Sequence, residues 1–232
     1  MGEFVKLTAA DGHELAAYVA RPELAGQKPL GAVVVVQEIF GVNPHIRSVV
    51  DGFAQEGYLA IAPALFDRVE RGVELEYSGE GWKHAVELMG KLDPKTALLD
   101  VAAAFQQAKK EQDRGVAVVG FCYGGFMSWL AATDGKVVDM QPACCVGYYP
   151  GGIGKVAEKE PSCPVMLHFG ANDSHIAPEQ REAVAAAHPD VQIFVYEGAE
   201  HGFNCDARES FNPQATALAR DRTLAFLKSN LG

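Results

Sequence analysis

The sequence predicts an α/β protein, with a mostly parallel, doubly wound sheet flanked by helices. The run Ala32–Val36 is apolar at every position, which is typical of a strand buried on both faces of a parallel sheet. Similar short runs recur along the 232 residues. Segments with helical periodicity lie between them, and strands that alternate with helices form parallel sheets covered on both faces.

Eight strands are predicted in chain order. The first two, Glu3–Thr8 and His13–Ala20, flank Asp11-Gly12, a pair that favours a turn. After Ala32–Val36, the other apolar runs predict strands at Leu59–Ala62, Val116–Val119, Val165–Phe169 and Ile193–Tyr196, with a weaker candidate at Ala143–Tyr149.

Five helices are predicted between the strands. The first has Pro44 in its opening turn and ends before Gly57, which is the usual distribution of these residues at helix ends. The second carries an apolar stripe that includes Leu98, Val101 and Phe105. In sheets of this class, sites form at the carboxyl ends of the strands. The predicted helices are Pro44–Glu56, Lys95–Gln112, Phe126–Thr133, Glu179–Ala187 and Pro213–Leu227.

Composition excludes several classes of protein. A chain with 48% hydrophobic and 22% charged residues is typical of a folded globular protein. Its net charge of −10 repels nucleic-acid phosphates, so we expect no nucleic-acid partner. No apolar run approaches the ~18 residues of a membrane helix and no secretory signal is recognisable, so we expect a cytoplasmic protein without a membrane partner. Because no linker or repeat divides the sequence, we expect a single domain over 1–232 and a monomer.

The five cysteines predict neither a disulfide framework nor a metal site. They are odd in number, form no Cys-x-x-Cys pair and have no zinc-ligand spacing with the histidines. We therefore expect reduced thiols, no metal and no cofactor.

The most specific local signal is the segment Gly120–Gly125, which consists of Gly-Phe-Cys-Tyr-Gly-Gly. It follows the strand Val116–Val119 and precedes the helix Phe126–Thr133, which is the context of a nucleophile elbow with Cys122 in place of the usual serine. The glycines allow the tight turn, and the helix N-terminus favours the thiolate form of the cysteine. The alternative is that Cys122 is a buried structural cysteine.

A general base and its orienting acid follow in the chain order expected of such an elbow. Asp173 lies in the loop after Val165–Phe169, and His201 lies in the loop after Ile193–Tyr196. Taken singly, Asp173 could cap the next helix and His201 could be a surface histidine. Three such residues, each just past a separate strand, predict instead a Cys122–His201–Asp173 catalytic set.

The loop after Ala32–Val36 is where folds with this elbow place a second donor to the oxyanion. We therefore predict an oxyanion hole formed by the backbone N–H groups of Ile39 and Tyr123.

Glu38 in the same loop is a carboxylate next to a buried strand, a position that is costly unless the charge is partnered. The sequence predicts a role for Glu38 in the active site. The alternatives are that it caps the helix near Pro44 or pairs with Arg47.

These segments together resemble the dienelactone hydrolase (carboxymethylenebutenolidase) family of the α/β-hydrolases. The resemblance is carried by Gln37–Asn43, the Cys122 elbow, Val146–Tyr149 and the loops of Asp173 and His201. It implies a cofactor-free hydrolase of small lactones or esters, in which Cys122 attacks an enol-lactone carbonyl and forms an acyl intermediate. It also implies that Asp173 orients His201, that Glu38 holds the resting thiol, and that Tyr148 lies near the acyl group.

The sequence departs from the family at the two arginines that hold a substrate carboxylate. Gly81-Trp82-Lys83 and Asn204-Cys205 stand in their places, so Lys83 and Arg208 are the candidate substitutes. Lysine lacks the bidentate fork of arginine, so the substrate is an open question. The alternatives are a related carboxylesterase or thioesterase, a glutamine amidotransferase, and a non-catalytic binding module. Whether His175 and Cys205 face the pocket is also open.

Overall fold

A computed structural model describes residues 2–23 and 28–232. Its centre is an eight-stranded sheet in the order β1-β2-β4-β3-β5-β6-β7-β8. The strands are β1 Glu3–Thr8, β2 Glu14–Ala20, β3 Ala32–Val36, β4 Leu59–Pro63, β5 Val116–Phe121, β6 Cys144–Tyr148, β7 Val165–Gly170 and β8 Gln192–Tyr196.

The six strands β4, β3, β5, β6, β7 and β8 are parallel to one another. Strand β2 pairs in antiparallel fashion with both β1 and β4. Every residue of β3, β4, β5, β6 and β7 is buried, whereas the edge strand β8 is partly exposed. Burial on both faces explains why the central strands are continuous apolar runs. The predicted α/β fold with a mostly parallel sheet is confirmed.

Six α-helices within the described residues accompany the sheet. Asn43 accepts a hydrogen bond from the Ile46 amide at the start of α1, and α3 begins with Asp93 as its N-cap and proline in its first turn. The helices are α1 Pro44–Gln55, α2 Gly79–Lys91, α3 Pro94–Glu111, α4 Tyr123–Asp134, α5 Pro178–Ala187 and α6 Pro213–Asn230.

Two features of the helices differ from the sequence prediction. Helix α2 was not predicted, because it contains Gly79, Gly81 and Gly90 and buries only Ala85 and Leu88. Helix α4 begins three residues earlier than predicted, at Tyr123. Its first turn includes glycines that lower helix propensity but permit close contact with the sheet.

The topology brings the predicted site residues to one edge of the sheet. Because parallel strands share their carboxyl edge, the loops after β3, β5, β7 and β8 meet there. Within the described ranges, none of the helices is long and apolar enough to cross a membrane.

Candidate active site

Cys122 occupies a strained turn between β5 and α4. It is the one residue between the two elements, with φ 53° and ψ −114°, a conformation that non-glycine residues rarely adopt. A Cβ atom on Gly120 would lie 1.8 Å from the carbonyl oxygen of Gly124, and one on Gly124 would lie 2.1 Å from that of Val36. Glycine is therefore required on both sides, and the tight turn expected from the sequence is present.

His201 links the sulfur to a carboxylate. Its Nε2 lies 3.2 Å from Sγ of Cys122, and its Nδ1 lies 2.8 Å from Oδ2 of Asp173. The other carboxylate oxygen of Asp173 accepts hydrogen bonds from the amides of His175, at 2.8 Å, and Ile176, at 3.2 Å. These amides hold the carboxylate in place, so the structure brings together all three residues of the predicted catalytic set.

The electrostatics of His201 favour its protonated form. Burial alone lowers the pKa of His201, but negative charge on the Cys122 sulfur and the hydrogen bond that the ring donates to Asp173 outweigh it and raise the pKa to about 10. The His201 ring can therefore keep a proton at neutral pH, 3.2 Å from the Cys122 sulfur. This arrangement suits a nucleophile that is activated by an ion pair.

Tyr149 borders this site, whereas the side chain of Tyr148 does not. The hydroxyl of Tyr148 shares a hydrogen bond of 2.7 Å with Oγ1 of Thr223 in the interior, and its ring stacks on Phe121. The Tyr149 ring centroid lies 5.0 Å from that of His201. The resemblance places Tyr148 near the acyl group, but the residue whose side chain lies at the site is Tyr149. Strand β6 ends at Tyr148, so Tyr149 is the first residue beyond the strand at the carboxyl edge of the sheet.

Glu38 is fully buried, and its carboxylate contacts one hydroxyl group and one positively charged group. Its Oε2 accepts a hydrogen bond of 2.9 Å from the Tyr77 hydroxyl, and its Oε1 lies 3.7 Å from Nη1 of Arg208. Neither of the alternatives for Glu38 is observed. The cap of α1 is Asn43, and Arg47 pairs with Glu74 instead, at 2.7 Å.

Of the two candidate substitutes for the missing arginines, only Arg208 lies at the site. Its guanidinium group is 5.6 Å from the ring centroid of Tyr77 and 6.0 Å from that of Phe40. Lys83 is exposed on α2 and pairs with Glu80 at 2.6 Å, one helical turn away. The proposed substrate contact of Lys83 therefore has no support from its position.

Two side chains that the sequence analysis did not single out contribute to the wall of the site. Tyr77 is bonded to Glu38 through its hydroxyl, and the ring of Trp82 lies 5.8 Å from Phe40 and 5.9 Å from His175. Both belong to the region around α2, a helix with a weak sequence signal. The sequence signal that could have identified them is the presence of two aromatic residues, Tyr77 and Trp82, in a glycine-rich segment.

The two predicted oxyanion donors are on neighbouring segments. Tyr123 is the first residue of α4, so its amide N–H has no acceptor within the helix. Close contact between Gly124 and the end of β3 brings this amide to the loop of Ile39. Gln37 stabilises that loop by accepting a hydrogen bond of 3.0 Å from the Leu65 amide.

The two residues left open by the sequence differ in their positions. The ring of His175 lies 5.0 Å from that of His201, so it borders the site. Cys205 is fully buried. Burial and the charge of Glu38 raise the pKa of the Cys205 thiol to about 12, so it stays protonated, unlike a nucleophile.

An eight-stranded, mostly parallel sheet with this strand–turn–helix segment defines an α/β-hydrolase. The model of the dienelactone hydrolase family matches residues 15–231, and the chain belongs to that family. It is accordingly a hydrolase that acts on ester bonds.

Individual relatives agree with this assignment. The carboxymethylenebutenolidase of Pseudomonas putida is 32% identical, over 97% of this chain and 95% of its own length. That of Pseudomonas sp. strain P51 is 33% identical, over 97% and 94%. The crystal structure of a candidate dienelactone hydrolase from Klebsiella pneumoniae subsp. pneumoniae MGH 78578 has a TM-score of 0.80 and 31% identity, and the match covers 97% of this chain and 98% of that one.

Proposed function

We propose that the protein hydrolyses small lactones or esters through an acyl intermediate on Cys122. The observation that carries this proposal is the continuous contact from Sγ of Cys122 through the His201 ring to the Asp173 carboxylate. Each contact is short enough for proton transfer or for charge stabilisation.

In the first half of the reaction, the Cys122 thiolate attacks the substrate carbonyl carbon. The carbonyl oxygen becomes negative and accepts hydrogen bonds from the amides of Ile39 and Tyr123, each worth about 3 kcal/mol in a preorganised hole. His201 then gives its proton to the leaving alkoxide oxygen as the C–O bond breaks. The products of this half are an alcohol, which is still tethered in a lactone, and a thioester on the sulfur.

In the second half, neutral His201 takes a proton from water, and the resulting hydroxide attacks the thioester carbonyl. The same two amides stabilise the second tetrahedral intermediate. The C–S bond breaks, the thiolate returns to its place beside protonated His201, and the carboxylic acid leaves. Asp173 stabilises the imidazolium and keeps Nε2 directed at the sulfur throughout.

The position of Glu38 modifies the role that the family resemblance implies for it. The contacts of Cys122 favour direct proton transfer to His201, since Glu38 is bonded to Tyr77 and lies beside Arg208. We propose that Glu38 holds Arg208 at the mouth of the site and exchanges its partner when substrate binds.

Arg208 favours a substrate with a free carboxylate. Its side chain is 14% exposed and it pairs with Glu38 at 3.7 Å, beyond hydrogen-bonding distance. Its planar guanidinium group can therefore still accept a carboxylate with bidentate geometry. A lactone or ester that carries an acid group is thus the substrate class we propose.

The setting proposed for this activity is a reducing one. All five cysteines are free thiols, and an acyl-cysteine mechanism requires the nucleophile to be reduced. We propose that the protein acts in the cytoplasm, as a monomer.

The test is mass spectrometry of the intact protein during turnover of a nitrophenyl ester. We expect an acyl adduct that maps to Cys122, and no adduct and no hydrolysis with Cys122→Ala. Hydrolysis at an unchanged rate in that variant would overturn the proposal. Release of ammonia from glutamine would support an amidotransferase instead, although His201 lacks the downstream glutamate of those enzymes and is followed by Gly202-Phe203.

A further inference from the structure

A second cluster of side chains with metal-binding chemistry lies beside the site. A carboxylate oxygen of Glu38, a ring nitrogen of His45 and Sγ of Cys205 lie within 4.8 Å of one another, and all three residues are buried. They come from the loop after β3, the first turn of α1 and the loop after β8. The proposed reaction uses neither His45 nor Cys205.

Two buried polar atoms of this cluster lack hydrogen-bond partners among the described residues. They are Oε1 of Glu38 and Nε2 of His45. A buried polar atom without a partner is costly, and an ion is one explanation for it.

The other nitrogen of His45 is already oriented by a carboxylate. Nδ1 of His45 lies 3.3 Å from Oδ1 of Asp206. Since a carboxylate accepts, the proton resides on Nδ1, and the lone pair of Nε2 is free to bind a metal. Histidines that ligate metals are held in this way by a second carboxylate.

We propose that Glu38, His45 and Cys205 form a binding site for one thiophilic divalent cation, with Zn²⁺ the best match. One oxygen, one nitrogen and one sulfur donor are the mixed set that zinc accepts, with a fourth position open to water. Calcium and magnesium prefer oxygen ligands throughout and do not match this set. On binding, the Cys205 thiol loses its proton to solvent and the thiolate bonds to the metal.

The geometry requires a small contraction. Zinc bonds of about 2.0–2.3 Å place tetrahedral ligand atoms about 3.3–3.7 Å apart, so atoms that lie within 4.8 Å of one another must approach by at most about 1 Å. His45 and Asp206 line an open cavity of about 270 Å³, which reaches the cluster on the His45 side.

Some charges around the cluster oppose a bound cation and others favour it. Arg208 and the N-terminus of α1 oppose a cation, whereas Glu38, Asp206 and the Cys205 thiolate favour it. Zinc must compete with Arg208 for Glu38. Zinc binding therefore inhibits hydrolysis, and this consequence rests on the role proposed above for Glu38 and Arg208.

The binding test is titration of chelator-treated protein with Zn²⁺ against a chromogenic chelator, together with Co²⁺ substitution to detect a sulfur-to-cobalt charge-transfer band. We expect one ion per chain. Cys205→Ala and His45→Gln should each weaken Zn²⁺ binding by about tenfold or more, and Cys205→Ala should abolish the charge-transfer band. Circular dichroism confirms folding, and Cys205→Ser serves if Cys205→Ala does not fold.

Two cysteine variants test for other zinc sites. Cys163→Ser and Cys122→Ser should keep the Zn²⁺ affinity of the wild type. Unchanged affinity in Cys205→Ala, or loss of binding in Cys122→Ser, would overturn the proposed site.

The activity test compares zinc inhibition of ester hydrolysis in the wild type and in Cys205→Ala. We expect inhibition of the wild type at zinc concentrations that leave Cys205→Ala active. If zinc inhibited the wild type and Cys205→Ala at the same concentrations, inhibition through this site would be contradicted. A protein that binds zinc but hydrolyses no ester would contradict the proposed function while leaving the metal site intact.

Discussion

The Nε2 atom of His201 lies 3.2 Å from Sγ of Cys122, although 79 residues separate the two in the chain. This contact depends on two independent features of the fold. The elbow after β5 presents the sulfur, and the loop after β8 returns the ring to the same edge of the sheet. The proposed chemistry requires both.

The Asp173 carboxylate should be needed for catalysis more than for folding. Asp173→Asn removes the negative charge 2.8 Å from Nδ1 of His201 and allows the wrong tautomer. We expect kcat/KM for a nitrophenyl ester to fall by about 10²–10⁴, with a far-ultraviolet circular dichroism spectrum like that of the wild type. A loss smaller than about tenfold would contradict the orienting role.

Arg208 should determine the preference for acidic substrates. Hydrogen bonds to charged groups contribute about 1.5–3 kcal/mol. Arg208→Gln should therefore raise KM for a carboxylate-bearing lactone by about 10–150-fold, and much less for a neutral ester of similar size.

Lys83→Gln is the matched control for this experiment, because Lys83 is an exposed cation paired with Glu80. Its kinetics should equal those of the wild type with both substrates. Equal effects of Arg208→Gln on the acidic and the neutral substrate would show that Arg208 does not recognise the acid.

Gly124 should be irreplaceable for steric reasons. A methyl group there would meet the carbonyl oxygens of Val36 at 2.1 Å and Gln37 at 2.6 Å. Both are backbone atoms, so Gly124→Ala must displace the strand end or the helix. We expect the free energy of unfolding to fall by about 2–3 kcal/mol in denaturant titrations.

Gly90→Ala is the matched control in α2, since a methyl group at that position has no neighbour within 4 Å. We expect it to stabilise the protein by about 0.5–1 kcal/mol, because alanine is the better helix former. A Gly124→Ala variant as stable as Gly90→Ala would refute the steric account of the elbow.

The sequence predicts those site residues whose positions follow from local motifs, and it does not predict contacts between segments that are distant in the chain. Cys122 is recognisable because its glycine neighbours are local requirements of one turn. Asp173 and His201 are recognisable because each follows an apolar run, and parallel strands bring such loops to one edge. Tyr148 was expected near the acyl group only through the family resemblance, and its hydroxyl bonds Thr223 in the interior, whereas the ring of the next residue, Tyr149, lies beside His201.

Contacts between distant segments could not be predicted in this way. Arg208 lies 170 positions from Glu38 in the numbering, and the cluster of Glu38, His45 and Cys205 has no characteristic spacing. Helix α2, which carries Trp82, forms through packing despite its glycines. Only the packed structure determines these neighbours.

The raised pKa of His201 predicts how stability depends on pH. A group whose pKa is higher in the folded state binds its proton more tightly there. The stability that this proton adds is therefore fully present below the ordinary value of 6.5 and is lost as the pH rises toward about 10. Denaturant unfolding of the wild type between pH 6 and 10 should show this decline, and His201→Gln should show a smaller one. Parallel curves for the two proteins would contradict the assignment.

We propose that contact with His201 makes Cys122 the reactive thiol of the protein. The most direct measurement is the rate at which iodoacetamide alkylates each cysteine near neutral pH, resolved by peptide mass spectrometry. We expect Cys122 to react far faster than the other four thiols in the wild type, and this advantage to disappear in His201→Gln. Alkylation of Cys122 at the same rate in both proteins would contradict the claim.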